Sequence, residues 1–186
     1  MSQLPAIVVL DRDGVINRDS VDFIRSAAEW EPLPGSLAAI VRLCAAGITV
    51  VVASNQSGIG RGLFSLDELA AIHARMNAEI RAAGGELAGI FFCPHRPDEG
   101  CNCRKPLPGL LRRIESELKC SLAGQPVIGD SLRDLEAAVA VNARPLLVRS
   151  GNGAGSEAEA RRRWPQLSVH DDLAAAVSAL LDGEPA

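Results

Sequence analysis

Residues 6–17 read AIVVLDRDGVIN, and the fold turns on this stretch. Ala6–Leu10 is short, apolar and rich in β-branched residues. A run of that length without alternation fits a strand buried on both faces, as in a parallel sheet. Directly after it come Asp11-Arg12-Asp13-Gly14, two carboxylates and a glycine where the strand must end. Ligands of open parallel sheets bind outside the carboxyl ends of the strands. The residues following each strand are therefore the ones to read for chemistry.

Outward from this stretch, short apolar runs alternate with longer helical patterns. Leu37–Ala46 reads as a helix closed by Gly47, and Ile48–Ala53 as a second strand. Ser65-Leu66-Asp67-Glu68 has the form of a capping box and opens a helix to about Ala83, stopped by Gly84-Gly85. Gly89–Cys93 is a third strand and Gly109–Leu118 a helix. Pro126–Gly129, Asp134–Ala140 and Pro145–Val148 continue as strand, helix and strand, and Asp171–Leu181 is a closing helix. Residues 150–160 (SGNGAGSEAEA) read as a mobile loop, and the final DGEPA is expected to fray. The alternation predicts an α/β, Rossmann-like fold: a central parallel sheet with helices on both faces and right-handed crossovers.

With 186 residues, 47% hydrophobic and 23% charged, the chain suits a single domain over 1–186 with one sizeable core. A net charge of −4 excludes bulk attraction to nucleic acid or an anionic membrane. No apolar run approaches the roughly 18–20 residues that span a bilayer. The start, MSQLPAIVVLDRDG, lacks the pattern of a secretory signal, so a cytoplasmic location is expected. The chain is expected to act as a monomer. Its five cysteines, an odd number in a reducing compartment, argue against a disulfide framework.

The strand ends carry a consistent set. After the first strand stand Asp11 and Asp13; after the second, Ser54-Asn55-Gln56-Ser57-Gly58; before the Gly109 helix, Arg104-Lys105-Pro106; after the fourth strand, Asp130, with Asp134 four residues on. Each alone fits a turn, a cap or a solvated side chain. Gathered on one sheet edge, they point to phosphoryl transfer. Several carboxylates at one point need a cation between them, and oxygen ligands suit Mg²⁺. A carboxylate can attack phosphorus, and a second can move the proton. A hydroxyl and a lysine can hold the phosphate oxygens.

Asp11–Asn17 (DRDGVIN), Ser54–Gly62 (SNQSGIGRG), Cys101–Pro106 (CNCRKP) and Ile128–Asp130 (IGD) resemble the four motifs of haloacid-dehalogenase-type phosphatases over residues 6–150. Within that superfamily the set is most similar to the D,D-heptose 1,7-bisphosphate phosphatases, which make heptose precursors of lipopolysaccharide. The resemblance implies Asp11 as nucleophile, Asp13 as general acid and base, and Ser54 and Lys105 as phosphate ligands. It implies Mg²⁺ held by Asp11, Asp130 and the main-chain carbonyl of Asp13. It assigns substrate contacts to Arg12, Asp19, Ser20, Val21, Asp22, Asn55, Gln56, Ser57, Arg104 and Ser131. Ser131 stands where some members have lysine. Too few residues separate Asn17 from Pro34, or Cys93 from Gly109, for a large cap domain, so the site is expected to be open.

Cys93-x-His95 and Cys101-x-Cys103 form a Cys₃His set on a loop of about residues 93–109. Such a set suits structural zinc, but its gaps are tighter than usual, so spacing alone leaves open zinc and unligated thiols. The resemblance implies Zn²⁺, stiffening the loop that delivers Arg104 and Lys105. Histidinol-phosphate phosphatases of this group carry the same finger and provide a rival substrate. A non-catalytic zinc- or phosphate-binding module is the rival of another class, disfavoured because Asp11, Asp13, Lys105 and Asp130 are all present. Cys44 reads as core, Cys120 as partnerless, His73 as a surface histidine, Arg161-Arg162-Arg163 as a solvated run, and Trp30 and Trp164 as packing under loops.

Overall fold

The computed structural model describes residues 4–183; of the 182–186 stretch expected to fray, Asp182 ends the last helix and Gly183 caps it, and 184–186 lie outside the described residues. Six parallel strands form one sheet: β1 (Ile7–Leu10), β2 (Thr49–Asn55), β3 (Gly89–Cys93), β4 (Pro126–Gly129), β5 (Arg144–Val148) and β6 (Ser168–His170), in the order β3-β2-β1-β4-β5-β6. The chain builds outward from β1 to β3, then returns to place β4 on the other side of β1. The switch point between β1 and β4 is where such sheets open a crevice.

The seven helices among the described residues are α1 (Ser36–Ala45), α2 (Ser57–Gly60), α3 (Leu66–Ala82), α4 (Gly109–Leu118), α5 (Leu132–Ala140), α6 (Gly153–Arg163) and α7 (Leu173–Asp182). Side chains of a strand alternate between faces, and β1 shows it. Val8 and Leu10 join a core with Ile40 and Leu43 of α1, Ile72 and Met76 of α3 and Val177 of α7. Ile7 and Val9 face Leu110, Leu111 and Ile114 of α4 on the other side. Both faces of β1 are thus closed to water, as its unbroken apolar run requires. No helix among the described residues is long and apolar enough to cross a membrane.

Ser65 caps α3 as expected: its side chain accepts from the Glu68 N–H, and Glu68 accepts from the Ser65 N–H at 2.6 Å. The structure departs from the sequence reading in several places, three of which bear on the site and its flank. First, α5 begins at Leu132, two residues early, because Ser131 and Asp134 close a second capping box. Second, residues 153–160, read as part of a mobile loop, are helical and run on into the arginine run to complete α6. Two early glycines disguise an Ala/Glu/Arg-rich segment with good helix propensity. Glu157–Arg161 and Glu159–Arg163 pair one turn apart, and Arg149 grips Glu157 from β5. Third, β6 went unread, because three residues on a sheet edge are too few to show a period. Between Asn17 and Pro34 the chain makes only a 3-10 turn, Ala27–Glu29. Trp30 beneath it is fully buried, with the Arg75 guanidinium 5.8 Å from its ring centroid.

Candidate active site

The carboxyl ends of β1 and β4 bring Asp11 and Asp130 together, and the first turn of α5 adds Asp134. One carboxylate oxygen from each lies within 4.8 Å of those of the others. The buried Lys105 enters this cluster from the loop after β3. Its Nζ is 3.1 Å from Asp11 Oδ1 and 2.5 Å from Asp134 Oδ1, and it donates to the Ala53 carbonyl at 2.7 Å. Asn55, at the end of β2, fixes the lysine backbone from both sides: its Oδ1 accepts from Lys105 N–H at 3.1 Å, and its Nδ2 donates to Lys105 O at 3.0 Å.

Asp134 has no free oxygen. Oδ1 faces Lys105, while Oδ2 accepts from Ser131 N–H at 3.1 Å and Ser131 Oγ at 2.6 Å. Asp134 thereby anchors Lys105 and starts α5. Asp11 Oδ1 is taken up by Lys105 and by the Arg12 N–H at 2.8 Å, which leaves Oδ2 for the cleft.

Asp130 is seated by close backbone contact. A Cβ added to Gly14 or to Gly151 would stand 2.2 Å from Asp130 Oδ2, and both glycines have positive φ. Only glycine permits the two loops to meet there. Asn152 N–H donates to Asp130 Oδ2 at 2.8 Å, and Ser150 Oγ to the Gly14 carbonyl at 2.7 Å. The 150–153 segment therefore buttresses the site.

The Asp13 carboxylate is held apart from that cluster. Arg12 donates to both its oxygens, Nε at 3.0 Å and a terminal nitrogen at 2.9 Å; Asn17 and Gln56 each donate at 2.9 Å. Gln56 also donates to the buried Ser54 Oγ at 2.7 Å. Arg12, expected from sequence to contact substrate, is fully buried and absent from the cleft lining, and its guanidinium instead braces Asp13. His73 is also corrected. It is half-buried, its Nε2 lies 3.5 Å from an Arg12 nitrogen, and its ring packs 5.7 Å from Phe92. Burial and the Arg12 charge lower its pKa to about 4.

The electrostatics separate the carboxylates. Burial pushes the Asp11 pKa well up, against the pull of Lys105, and Asp134, Asp130 and Asp13 push it further. Burial raises Asp130 to about 6, with Asp134 and Asp19 adding to it against the Asn152 N–H. Burial acts on Asp13 in the same direction, but Arg12, Asn17 and Gln56 outweigh it and hold that carboxyl low. One buried ammonium does not balance Asp11, Asp130 and Asp134. The excess negative charge and all-oxygen donors fit a hard divalent cation such as Mg²⁺, which Asp11 and Asp130 could hold.

Cys93, His95, Cys101 and Cys103 also converge, their donor atoms all within 4.8 Å of one another. Cys93 Sγ lies 3.7 Å from Cys101 Sγ and 3.2 Å from Cys103 Sγ, and His95 Nδ1 lies 3.5 Å from Cys93 Sγ and 3.3 Å from Cys103 Sγ. A zinc–sulfur bond of about 2.3 Å in a tetrahedron implies edges of about 3.7 Å, so the set fits zinc. Burial lifts the Cys93 thiol to about 12, so without a metal it stays protonated. Arg104 and Lys105 follow Cys103 directly, and an Arg104 nitrogen donates to the His95 carbonyl at 3.4 Å.

Above the carboxylates lies a cleft of about 310 Å³. Asp19, Ser20, Asn55, Gln56, Ser57, Arg104 and Ser131 line it, as the sequence suggested. Val21 is 98% exposed outside the lining, and Asp22 faces an adjoining groove, because the turn at Phe23 carries them outward. Arg61, Arg133, Phe23 and Asn152 line the cleft and were missed; Arg61 stood inside a quoted motif, and nothing in sequence aims Arg133 at the site. Burial lowers the Arg104 pKa, and the nearby charges of Arg133 and Arg61 lower it further.

Residues 102–176 match the family model described as HAD-hydrolase-like. The chain is similar to the D-glycero-beta-D-manno-heptose-1,7-bisphosphate 7-phosphatases of Pseudomonas putida (49% identity, 94% of this chain and 99% of that protein) and Escherichia coli (36%, 90% and 91%). Among solved structures it resembles the D,D-heptose 1,7-bisphosphate phosphatase of Bordetella bronchiseptica in complex with magnesium and phosphate. That likeness has a TM-score of 0.90 and 49% identity, covering 95% of this chain and 98% of that one.

Two outcomes follow from the charge and metal geometry. Between its ordinary 3.8 and its folded value of about 6, Asp130 binds more protons folded than unfolded. Stability of the metal-free protein should therefore fall as pH rises through that window. A cation held by Asp130 removes the penalty, so saturating Mg²⁺ should raise Tm more at pH 7 than at pH 5. Equal shifts in thermal melts at both pH values would contradict this. Metal analysis should also find about one zinc per chain. Its removal should lower Tm and activity, and added Zn²⁺ but not Mg²⁺ should restore both; chelated protein of unchanged melting and rate would rule out a structural metal.

Proposed function

The chain belongs to the D-glycero-beta-D-manno-heptose-1,7-bisphosphate 7-phosphatase family of HAD-like phosphatases, and from that premise we infer that it removes the 7-phosphate of this heptose bisphosphate in heptose precursor synthesis. The observation that carries the reading is the convergence of Asp11, Asp130 and Asp134 on the buried Lys105 at the switch point of the sheet. The relatives speak for the heptose substrate over histidinol phosphate.

Asp11 Oδ2, unengaged among the described residues, attacks phosphorus, and the sugar oxygen departs as the aspartyl-phosphate forms. Asp13 gives the departing oxygen a proton. In the second half-reaction it takes one from the water that attacks the aspartyl-phosphate, which frees Asp11 and phosphate. Its depressed pKa leaves it unprotonated and open to a proton; the negative phosphate, once bound beside it, raises that pKa toward the range in which it can both give and take one. Lys105 and Ser54 hold phosphate oxygens, and Asn55 keeps the lysine aimed. Asp11, Asp130 and the Asp13 carbonyl would hold Mg²⁺, which supplies positive charge to the transferring group when bound. Asp19, Ser20, Gln56, Ser57 and Ser131 contact the sugar, and Arg104 faces the phosphate that stays. The 1–186 unit acts as a monomer in the cytoplasm, and its net charge of −4 gives no reason to expect nucleic acid or membrane partners.

Incubation with the heptose bisphosphate and Mg²⁺ should release one phosphate and leave heptose 1-phosphate, identified by phosphorus NMR. Asp11→Asn should abolish turnover while melting normally, because an amide of the same shape cannot attack phosphorus. Faster hydrolysis of histidinol phosphate than of the bisphosphate would sink the substrate assignment. Asp13→Asn should slow turnover roughly 10²–10⁴-fold. A loss below about tenfold in steady-state assays would reduce Asp13 to a loop-orienting role.

A further inference from the structure

The cleft carries both signs of charge. Asp11, Asp13, Asp19, Asp130 and Asp134 line it, and so do Arg61, Arg104 and Arg133, of which Arg61 and Arg133 stand close enough for their charges to act on Arg104. The three arginines come from separate elements: Arg61 is the C-cap of α2, Arg104 follows the cysteine cluster, and Arg133 lies in the first turn of α5. Each position is unfavourable by itself. Arg61 and Arg133 have no ion pair or side-chain hydrogen bond among the described residues, although surface arginines elsewhere in the chain pair with acids one turn away. Arg133 also sits at the positive end of a helix, where a cation is repelled by the macrodipole. Arg104 is half-buried with only a backbone carbonyl as partner. Like charges gathered without a counter-charge destabilise an empty site, and a bound dianion relieves the repulsion.

We propose that Arg61 and Arg133 join Arg104 to form the subsite for the phosphate that is not hydrolysed, and so select bisphosphates over monophosphates. The proposal rests on the phosphatase reading above and adds two residues to it. The reacting phosphate belongs with Lys105 and the carboxylates, where the nucleophile is. A second phosphate on the same small sugar then falls against the arginines. Guanidinium groups bind phosphate with paired, charge-assisted hydrogen bonds, and three of them surround a tetrahedral anion from different directions. Ser131 in the cleft lining carries no charge, and Arg133, two residues on in the first turn of α5, brings one to the same cleft.

The test compares heptose 1,7-bisphosphate with heptose 7-phosphate, which keeps the scissile group and lacks the other. For wild type, Arg61→Gln, Arg133→Gln and the double variant, kcat/KM is measured on both substrates, with melting curves to check folding. Each single change should lower kcat/KM on the bisphosphate by about 10- to 100-fold, the scale of a charge-assisted hydrogen bond, and leave the monophosphate within about threefold. Arg133→Lys should recover part of the loss. Equal losses on both substrates, or no loss on either in folded variants, would overturn the subsite. Should wild type instead hydrolyse neither heptose phosphate, the substrate reading fails, and the subsite with it; a wild type that prefers the bisphosphate while the variants keep that preference sinks the subsite alone.

Discussion

The pairing of one buried lysine with more negative charge than it can neutralise sets the terms for the rest of this structure. Lys105 Nζ reaches Asp11, Asp134 and a main-chain carbonyl, all away from water. A buried charge without such partners would be untenable. Asp134 spends both oxygens on the arrangement, one on Lys105 and one on the start of α5. Asp11 and Asp130 stay under-neutralised, and this residual charge makes the site a receptor for a divalent cation and then a phosphate.

The sheet delivers these groups with little help from loops. Strand order puts the ends of β1 and β4 side by side, and β2 on the other flank of β1 supplies Ser54, Asn55 and Gln56. Where loops are needed, they are short and held. Gly14 and Gly151 bring backbone against Asp130 at a distance no side chain tolerates. Arg12, buried under the nucleophile loop with Gln56 and His73 around it, fixes Asp13 to one side. The two aspartates of the first motif differ in chemistry because their surroundings differ: Asp11 is crowded by carboxylates, while Asp13 is ringed by donors.

The loop after β3 has little secondary structure of its own, yet it carries Lys105 and Arg104 to opposite tasks on consecutive residues. The Cys93, His95, Cys101 and Cys103 donors converge beside them, and a metal held there would replace the core that so short a segment lacks. Among the described residues no domain closes over the cleft, so selection falls to side chains along its rim. That leaves charge, the longest-reaching interaction, as the simplest means of recognising a doubly phosphorylated sugar in an open site.

The sequence by itself determined the α/β class, five of the six strands, the capping box at Ser65, the positions of Asp11, Asp13, Ser54 and Asp130 at strand ends, and that of Lys105 ahead of the Gly109 helix. These were legible because burial on both faces writes a continuous apolar run, and because chemistry in such sheets follows the strand directly. The Cys₃His set was visible as residue types, though its spacing left zinc undecided until the four donors were seen to meet. Helix 153–163 hid behind two glycines, and β6 was too short to show a period. Tertiary structure alone decided that Arg12 and His73 lie under Asp13, that Asp134 anchors Lys105, that Val21 points away, and that Arg61 and Arg133 reach the cleft. The physical reason is that side chains distant in sequence meet only where strand order and helix packing bring them together, and a local pattern carries no record of what lies across the cleft.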